Sequence, residues 1–116
     1  MSEHFRALCR LDTLADGEAK GFQGPEGSFT GVFAIRQGDT AVAYVNACPH
    51  IGTPLDWVPD RFLSRDGTRI ICATHGAEFR INDGFCTRGP CSGDSLEPLL
   101  IKINEGTLFV ADKRDP

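Results

Sequence analysis

Short apolar runs separated by turn residues are the main pattern along this chain. Gln37, Gly38 and Asp39 form a turn signal between two runs rich in Val, Ile, Phe and Tyr, which predicts a β-hairpin. No stretch has a sustained helical period with caps. The sequence therefore predicts an all-β fold, an antiparallel β-sandwich or barrel. The predicted strands lie at residues 5–11, 19–22, 32–36, 41–46, 62–63, 69–71, 77–81, 84–86, 99–104 and 107–111.

Hairpins also connect the later strands in this prediction. The turn signals are residues 64–68, the Asn82-Asp83-Gly84 run and the Glu105-Gly106 pair. Four glycines and Pro25 make residues 21–31 a loop.

Two short motifs combine cysteine with histidine, and one of them follows a predicted strand directly. Cys48 precedes His50 by two residues, and Cys72 precedes His75 by three. Each motif offers one thiolate and one imidazole, so the four side chains form a candidate metal site. Zinc is an alternative, although zinc fingers usually pair cysteine with cysteine and histidine with histidine. A structure without metal is the remaining alternative.

The two motifs resemble the C-x-H and C-x-x-H signature of Rieske proteins. The flanking H-x-G-x-P-L and H-G patterns, and Gly89-Pro90 downstream, strengthen this resemblance. It implies one Rieske-type [2Fe-2S] cluster, with Cys48 and Cys72 on the inner iron and His50 and His75 on the outer iron. It also implies a Rieske-type antiparallel β-sandwich or barrel in which two loops form a small cluster-binding subdomain, at about residues 47–92 of a single domain spanning residues 1–116.

The resemblance is to a low-potential type of Rieske protein. High-potential Rieske proteins carry a disulfide beside the cluster and a serine and a tyrosine that donate hydrogen bonds to its sulfurs. Here the matching positions hold Thr53, Thr74, Ala77 and Phe79. Because hydrogen bonds to sulfur favour the reduced cluster, we expect a reduction potential in the lower part of the Rieske range.

Length, charge and cysteine content limit the functions open to the chain. With 116 residues and a net charge of −4, we expect a single domain that binds neither nucleic acid nor a membrane. No apolar run is long enough to span a bilayer, and the first residues do not resemble a signal peptide. Five cysteines form no disulfide framework, which fits the cytoplasm. 

Three cysteines lie outside the two motifs. Cys9 is expected to be a small core residue. Cys86 and Cys91 are expected to pack as reduced thiols, although they could form a disulfide or, in a rival cluster model, replace the two histidines as ligands. The rival model leaves both histidines unexplained.

The chain has no residues for a second catalytic iron and no G-x-G-x-x-G nucleotide motif, so we expect an electron-transfer component rather than an enzyme. The resemblance implies a Rieske-type ferredoxin that takes one electron from a reductase to a terminal oxygenase, or other oxidoreductase, with both partners docking near His50 and His75. Alternatives are a Rieske-like small subunit of a larger oxidoreductase, such as nitrite reductase, and a redox sensor. The long segment at 51–71 is the expected place for partner specificity.

Overall fold

The structure is a computed structural model that describes residues 5–24, 30–49, 54–56, 60–72, 76–89 and 93–111. Within these residues there is one short 3-10 helix, Leu11–Thr13, and no helix that could cross a membrane. The strands are β1 Phe5–Arg10, β2 Ala19–Phe22, β3 Val32–Gln37, β4 Thr40–Val45, β5 Arg69–Ile71, β6 Glu78–Arg80, β7 Cys86–Arg88, β8 Leu100–Asn104 and β9 Thr107–Ala111.

The strands form three antiparallel sheets of three strands each, with the orders β1-β9-β8, β2-β3-β4 and β5-β6-β7. The sheet β2-β3-β4 is central because β3 is buried on both of its faces. Val32 and Ala34 pack into one hydrophobic cluster, whereas Phe33 and Ile35 pack into another. Successive side chains of a strand point to opposite faces, so one strand supplies both cores.

The first core cluster joins the central sheet to β1-β9-β8, and Leu108 and Val110 of β9 are fully buried in it. The second joins the opposite face to β5-β6-β7 and contains Phe79 of β6 and Ile70 of β5. Both cysteines of the two sequence motifs belong to this second cluster. The fold therefore places the candidate metal centre on one side of the central sheet.

Backbone hydrogen bonds also join the central sheet to the chain just before β8. The Val45 amide donates to the Glu97 carbonyl at 2.9 Å, and the Leu99 amide donates to the Ala43 carbonyl at 2.9 Å. These bonds pair the outer edge of β4 with residues 97–99 and give the molecule a partly closed, barrel-like form. The all-β antiparallel fold predicted from the sequence is confirmed.

A buried tyrosine ties the central sheet to the turn between β6 and β7. The Tyr44 hydroxyl donates a hydrogen bond to the Ile81 carbonyl at 2.7 Å, and burial, with a smaller contribution from the charge of Asp83, raises the pKa of Tyr44 to about 12. A Cβ on Gly84 would lie 2.8 Å from the Tyr44 ring, so glycine permits this close approach. The bond links β4, which leads to Cys48, to the hairpin that follows the second motif.

Two predicted details were wrong. The first strand ends at Arg10, because Leu11 begins the 3-10 helix. The second strand of the hairpin after the second motif spans Cys86–Arg88 rather than residues 84–86, because the Gly84 amide belongs to the turn and donates to the Arg80 carbonyl at 2.8 Å.

The predicted hairpin of residues 62–63 and 69–71 is present. Leu63 bridges Ile70, and on either side of this bridge the Ser64 amide donates to the Arg69 carbonyl and the Ile71 amide to the Phe62 carbonyl, both at 2.8 Å. The other edge of β5 pairs with β6.

Candidate metal centre

The first motif begins three residues after the end of β4. The Asn46 amide donates to the Gly31 carbonyl at 2.9 Å and the Ala47 amide to the Val45 carbonyl at 2.9 Å, so the strand end is held before the chain turns. Cys48 follows and is only 1% exposed. The β3–β4 hairpin thus delivers this thiol directly into the core. His50, its predicted companion, lies outside the described residues.

The second motif begins at the residue after β5. Cys72 is 0% exposed, and its amide donates to the Ala77 carbonyl at 2.9 Å. The Gly76 amide donates in turn to the Cys72 carbonyl at 2.8 Å. Backbone bonds at both ends therefore close the loop of residues 72–77. His75 lies within the part of this loop that is outside the described residues.

The two thiols share one environment, since Cys48 and Cys72 both belong to the core cluster with Leu55, Ala77 and Phe79. Neither forms a disulfide. Buried thiols that form no disulfide are suitable soft ligands for iron, and the apolar side chains of the cluster exclude water. The described cysteines therefore fit an iron–sulfur cluster. No group of three metal-ligating side chains lies within the described residues, which contain neither histidine.

The positions that distinguish high-potential Rieske proteins are apolar here. Ala77 and Phe79 are both 0% exposed and pack in the same cluster as Cys48 and Cys72. Neither side chain has a hydroxyl that could donate a hydrogen bond to sulfur. Thr53 and Thr74 lie outside the described residues.

The three cysteines outside the two motifs, Cys9, Cys86 and Cys91, lie in different parts of the chain's structure or outside its described residues. Cys9 is partly buried and packs against the first core cluster, on the other side of the central sheet, as a core residue would. Cys86 is buried in the second cluster, and its Sγ lies 3.3 Å from the Arg88 carbonyl oxygen, to which it donates. Cys91 lies outside the described residues, so the expectation that Cys86 and Cys91 are reduced stays a prediction.

A third loop approaches the second motif very closely. Gly89 has φ +107°, and a Cβ built on it would lie 2.7 Å from Cα of Ala77. The loop that begins at Gly89 therefore packs backbone to backbone against the end of the loop of residues 72–77, the second candidate ligand loop. Pro90, the next residue, is outside the described residues.

A polar network that the sequence does not reveal joins the two ends of the loop that contains Cys48 and His50, the first candidate ligand loop. The Leu55 amide donates to Oδ1 of Asn46 at 2.8 Å, and Nδ2 of Asn46 donates to Oδ1 of Asp56 at 3.0 Å. The Asp60 amide donates to Oδ2 of Asp56 at 3.1 Å. A polar residue at the end of a strand, just before the first cysteine, is the only signal of this network in the sequence.

Solved structures with the same fold include ferredoxins and terminal oxygenases. The chain is 22% identical, with a TM-score of 0.77, to a chain from the complex of reduced oxygenase and oxidized ferredoxin in carbazole 1,9a-dioxygenase, and the match covers 99% of each chain. It is 25% identical, with a TM-score of 0.74, to the ferredoxin of carbazole 1,9a-dioxygenase from Nocardioides aromaticivorans IC177, covering 94% of this chain and 98% of that one.

A terminal oxygenase shares the fold over only part of its length. The terminal oxygenase of carbazole 1,9a-dioxygenase from Novosphingobium sp. KA1 is 19% identical, with a TM-score of 0.74, and the match covers 98% of this chain but 31% of that chain. No curated protein sequence matches the chain.

The model of the Rieske [2Fe-2S] domain matches residues 4–107, a stretch that contains both motifs, the strands β1 to β8 and the first residue of β9. This match implies a Rieske-type [2Fe-2S] cluster as the cofactor. The chain belongs to the Rieske [2Fe-2S] domain family.

Proposed function

We propose that this chain is a low-potential Rieske-type ferredoxin that carries single electrons from a reductase to a terminal oxygenase or another oxidoreductase. The observation that carries the proposal is the pair of buried thiols, Cys48 and Cys72, in one core cluster of a domain of the Rieske family. The match with a ferredoxin, which covers 94% of this chain and 98% of that one, supports the role of a carrier.

The proposed ligands are Cys48 and Cys72 for the inner iron and His50 and His75 for the outer iron. The cluster-binding subdomain comprises about residues 47–92. When bound, the cluster accepts and releases one electron at a time.

The chain's own residues hold and shield this centre. The loop of residues 72–77 is closed by backbone bonds, so Cys72 keeps its position at the end of β5. Leu55, Ala77 and Phe79 are buried with the two thiols and exclude water there, which supports an exit for electrons on the histidine side. We therefore place the docking site of both partners near His50 and His75.

The low potential follows from the apolar residues beside the thiols. A hydroxyl that donates to a cluster sulfur stabilises the reduced state, and Ala77 and Phe79 supply none. The thiols of Cys9, Cys48 and Cys72 form no disulfides, which fits a reducing compartment, and we place the carrier in the cytoplasm.

The decisive experiment is electron paramagnetic resonance of the dithionite-reduced protein, with iron and sulfide assays and a redox titration. We expect a Rieske signal of low average g, about two irons and two sulfides per chain, and a midpoint in the lower part of the range of about −150 to +300 mV. A midpoint well above +100 mV would contradict the low-potential assignment, and zinc without iron would contradict the function.

Serine variants test the ligand set. Cys48→Ser and Cys72→Ser should lose the signal, whereas Cys9→Ser, the same change on the other side of the central sheet, should keep it. Loss of the signal in Cys86→Ser with retention in His50→Ala would instead support ligation by four cysteines.

A further inference from the structure

The network around Asn46 connects the two ends of the loop that contains Cys48 and His50. Leu55 is 0% exposed, so its amide cannot bond water and depends on Oδ1 of Asn46, at 2.8 Å. Nδ2 of the same side chain donates to Asp56 at 3.0 Å. One amide side chain thus bonds both residues at the far end of the loop.

Asparagine suits this place because the two bonds need opposite chemistry. Leu55 requires an acceptor and the Asp56 carboxylate requires a donor, and a side-chain amide provides both at once. A carboxylate at position 46 would face the Asp56 carboxylate and could not donate. An aliphatic side chain would leave the buried Leu55 amide without its acceptor.

The network continues beyond the loop to the central sheet. Asp56 accepts from the Asp60 amide at 3.1 Å, and Oδ1 of Asp60 accepts from the Gly21 amide of β2 at 2.8 Å. Asp60 has φ +70°, a conformation that non-glycine residues rarely adopt, and these two bonds hold it there. The first ligand loop is therefore anchored both to the end of β4 and to the opposite edge of the same sheet.

We propose that Asn46, Asp56 and Asp60 are positioning residues that fix the first ligand loop, and with it Cys48 and His50, so that the cluster is retained. The part concerning the cluster rests on the proposed function. The part concerning the loop rests only on the hydrogen bonds. Asp56 and Asp60 lie in this chain's long segment between the motifs, which makes that segment a support for the ligand loop.

Three variants of the full chain test the proposal. Asn46→Leu removes both bonds of the side chain, and Asp56→Asn removes one, because a single amide oxygen replaces two carboxylate oxygens that accept from Asn46 and Asp60. The double variant N46D/D56N swaps the two side chains and restores every bond. The carboxylate at position 46 accepts from the Leu55 amide and from the side-chain amide at position 56, whose oxygen accepts from the Asp60 amide. The swap also leaves the net charge unchanged.

Two readouts separate the loop from the cluster. Hydrogen exchange of the peptide containing Leu55, measured by mass spectrometry, reports on the loop whether or not iron is bound. Loss of visible absorbance in the presence of a chelator, and the g values of the reduced protein, report on the cluster. The matched control is Asp16→Asn, which alters a carboxylate that accepts from the Gly38 amide at the opposite end of the β3–β4 hairpin.

We expect exchange near Leu55 and cluster loss to be about tenfold faster in Asn46→Leu, which corresponds to about 1.4 kcal/mol. Both rates in Asp56→Asn should fall between those of Asn46→Leu and the wild type, while both rates in N46D/D56N and in Asp16→Asn should match the wild type. The proposal would be overturned if the double variant N46D/D56N did not restore slow hydrogen exchange at Leu55. It would also be overturned if Asp16→Asn accelerated hydrogen exchange and cluster loss as much as Asn46→Leu. Wild-type protein that shows slow exchange at Leu55 but no Rieske signal would support the loop anchor and refute the electron-carrier function.

Discussion

The contact between Gly89 and Ala77 gives a prediction in which strain and packing can be separated. Gly89 has φ +107° and Gly93, four residues later, has φ +96°. An alanine at either position has to adopt a backbone conformation that costs about 1–2 kcal/mol. Only at Gly89 does the new methyl group also meet other atoms, because it would lie 2.7 Å from Cα, 3.0 Å from Cβ and 3.3 Å from the backbone nitrogen of Ala77.

These neighbours cannot move aside as a flexible side chain would, since two are backbone atoms and Ala77 is fully buried. Displacing packed backbone costs about 1–3 kcal/mol more. No described atom lies within 4 Å of a Cβ on Gly93. We therefore expect Gly89→Ala to be less stable than Gly93→Ala by about 1–3 kcal/mol, a difference of roughly 4–12 °C in the thermal midpoint.

The assay is thermal denaturation of the iron-containing protein, followed by circular dichroism at one scan rate because loss of the cluster can make unfolding irreversible. Iron content measured on the same samples should fall in Gly89→Ala, whose methyl group presses on the end of the second ligand loop, and should stay at the wild-type level in Gly93→Ala. Midpoints within about 2 °C of each other would refute the inferred contact between Gly89 and Ala77.

Two further predictions concern buried aromatic residues. Phe62 is fully buried and stacks on Phe33, with 4.3 Å between ring centroids. Phe62→Ala should therefore lower the free energy of unfolding, measured by urea denaturation, by about 3–5 kcal/mol, whereas Phe5→Ala, at a residue that is 37% exposed, should lower it by less than about 1 kcal/mol. Equal losses of stability would argue against this packing. Tyr44 is the chain's single tyrosine, so an ultraviolet titration reports on it alone, and we expect a midpoint near 12 rather than 10 in protein that circular dichroism shows to be folded. Because the unfolded chain loses the Tyr44 hydroxyl proton at a lower pH than the folded chain, the contribution of this group to folding stability is complete below pH 10 and is lost as the pH rises toward 12. A folded-state midpoint near 10 would contradict the burial of the hydroxyl.

The sequence alone located most strands and the chemical class of the site. The hairpin of β3 and β4, and that of β8 and β9, were predicted nearly to the residue, because alternation and turn residues are local signals. The four proposed ligands were identified by their spacing, since a metal centre requires particular side chains at short separations. Of these, the structure places Cys48 and Cys72 in one core cluster, and the assignment of His50 and His75 stays a proposal.

Only the tertiary structure decided how distant segments meet. The local pattern predicted the pairing of β5 with residues 62–63, but not that the other edge of β5 pairs with β6, where Ile70 lies opposite Phe79 in the second core. The anchor between Asp60 and Gly21 joins residues 39 positions apart, and the contact between Gly89 and Ala77 brings together two segments that β6 and β7 separate along the chain. Such contacts depend on which buried groups need partners after the sheets pack, and no local pattern records that need.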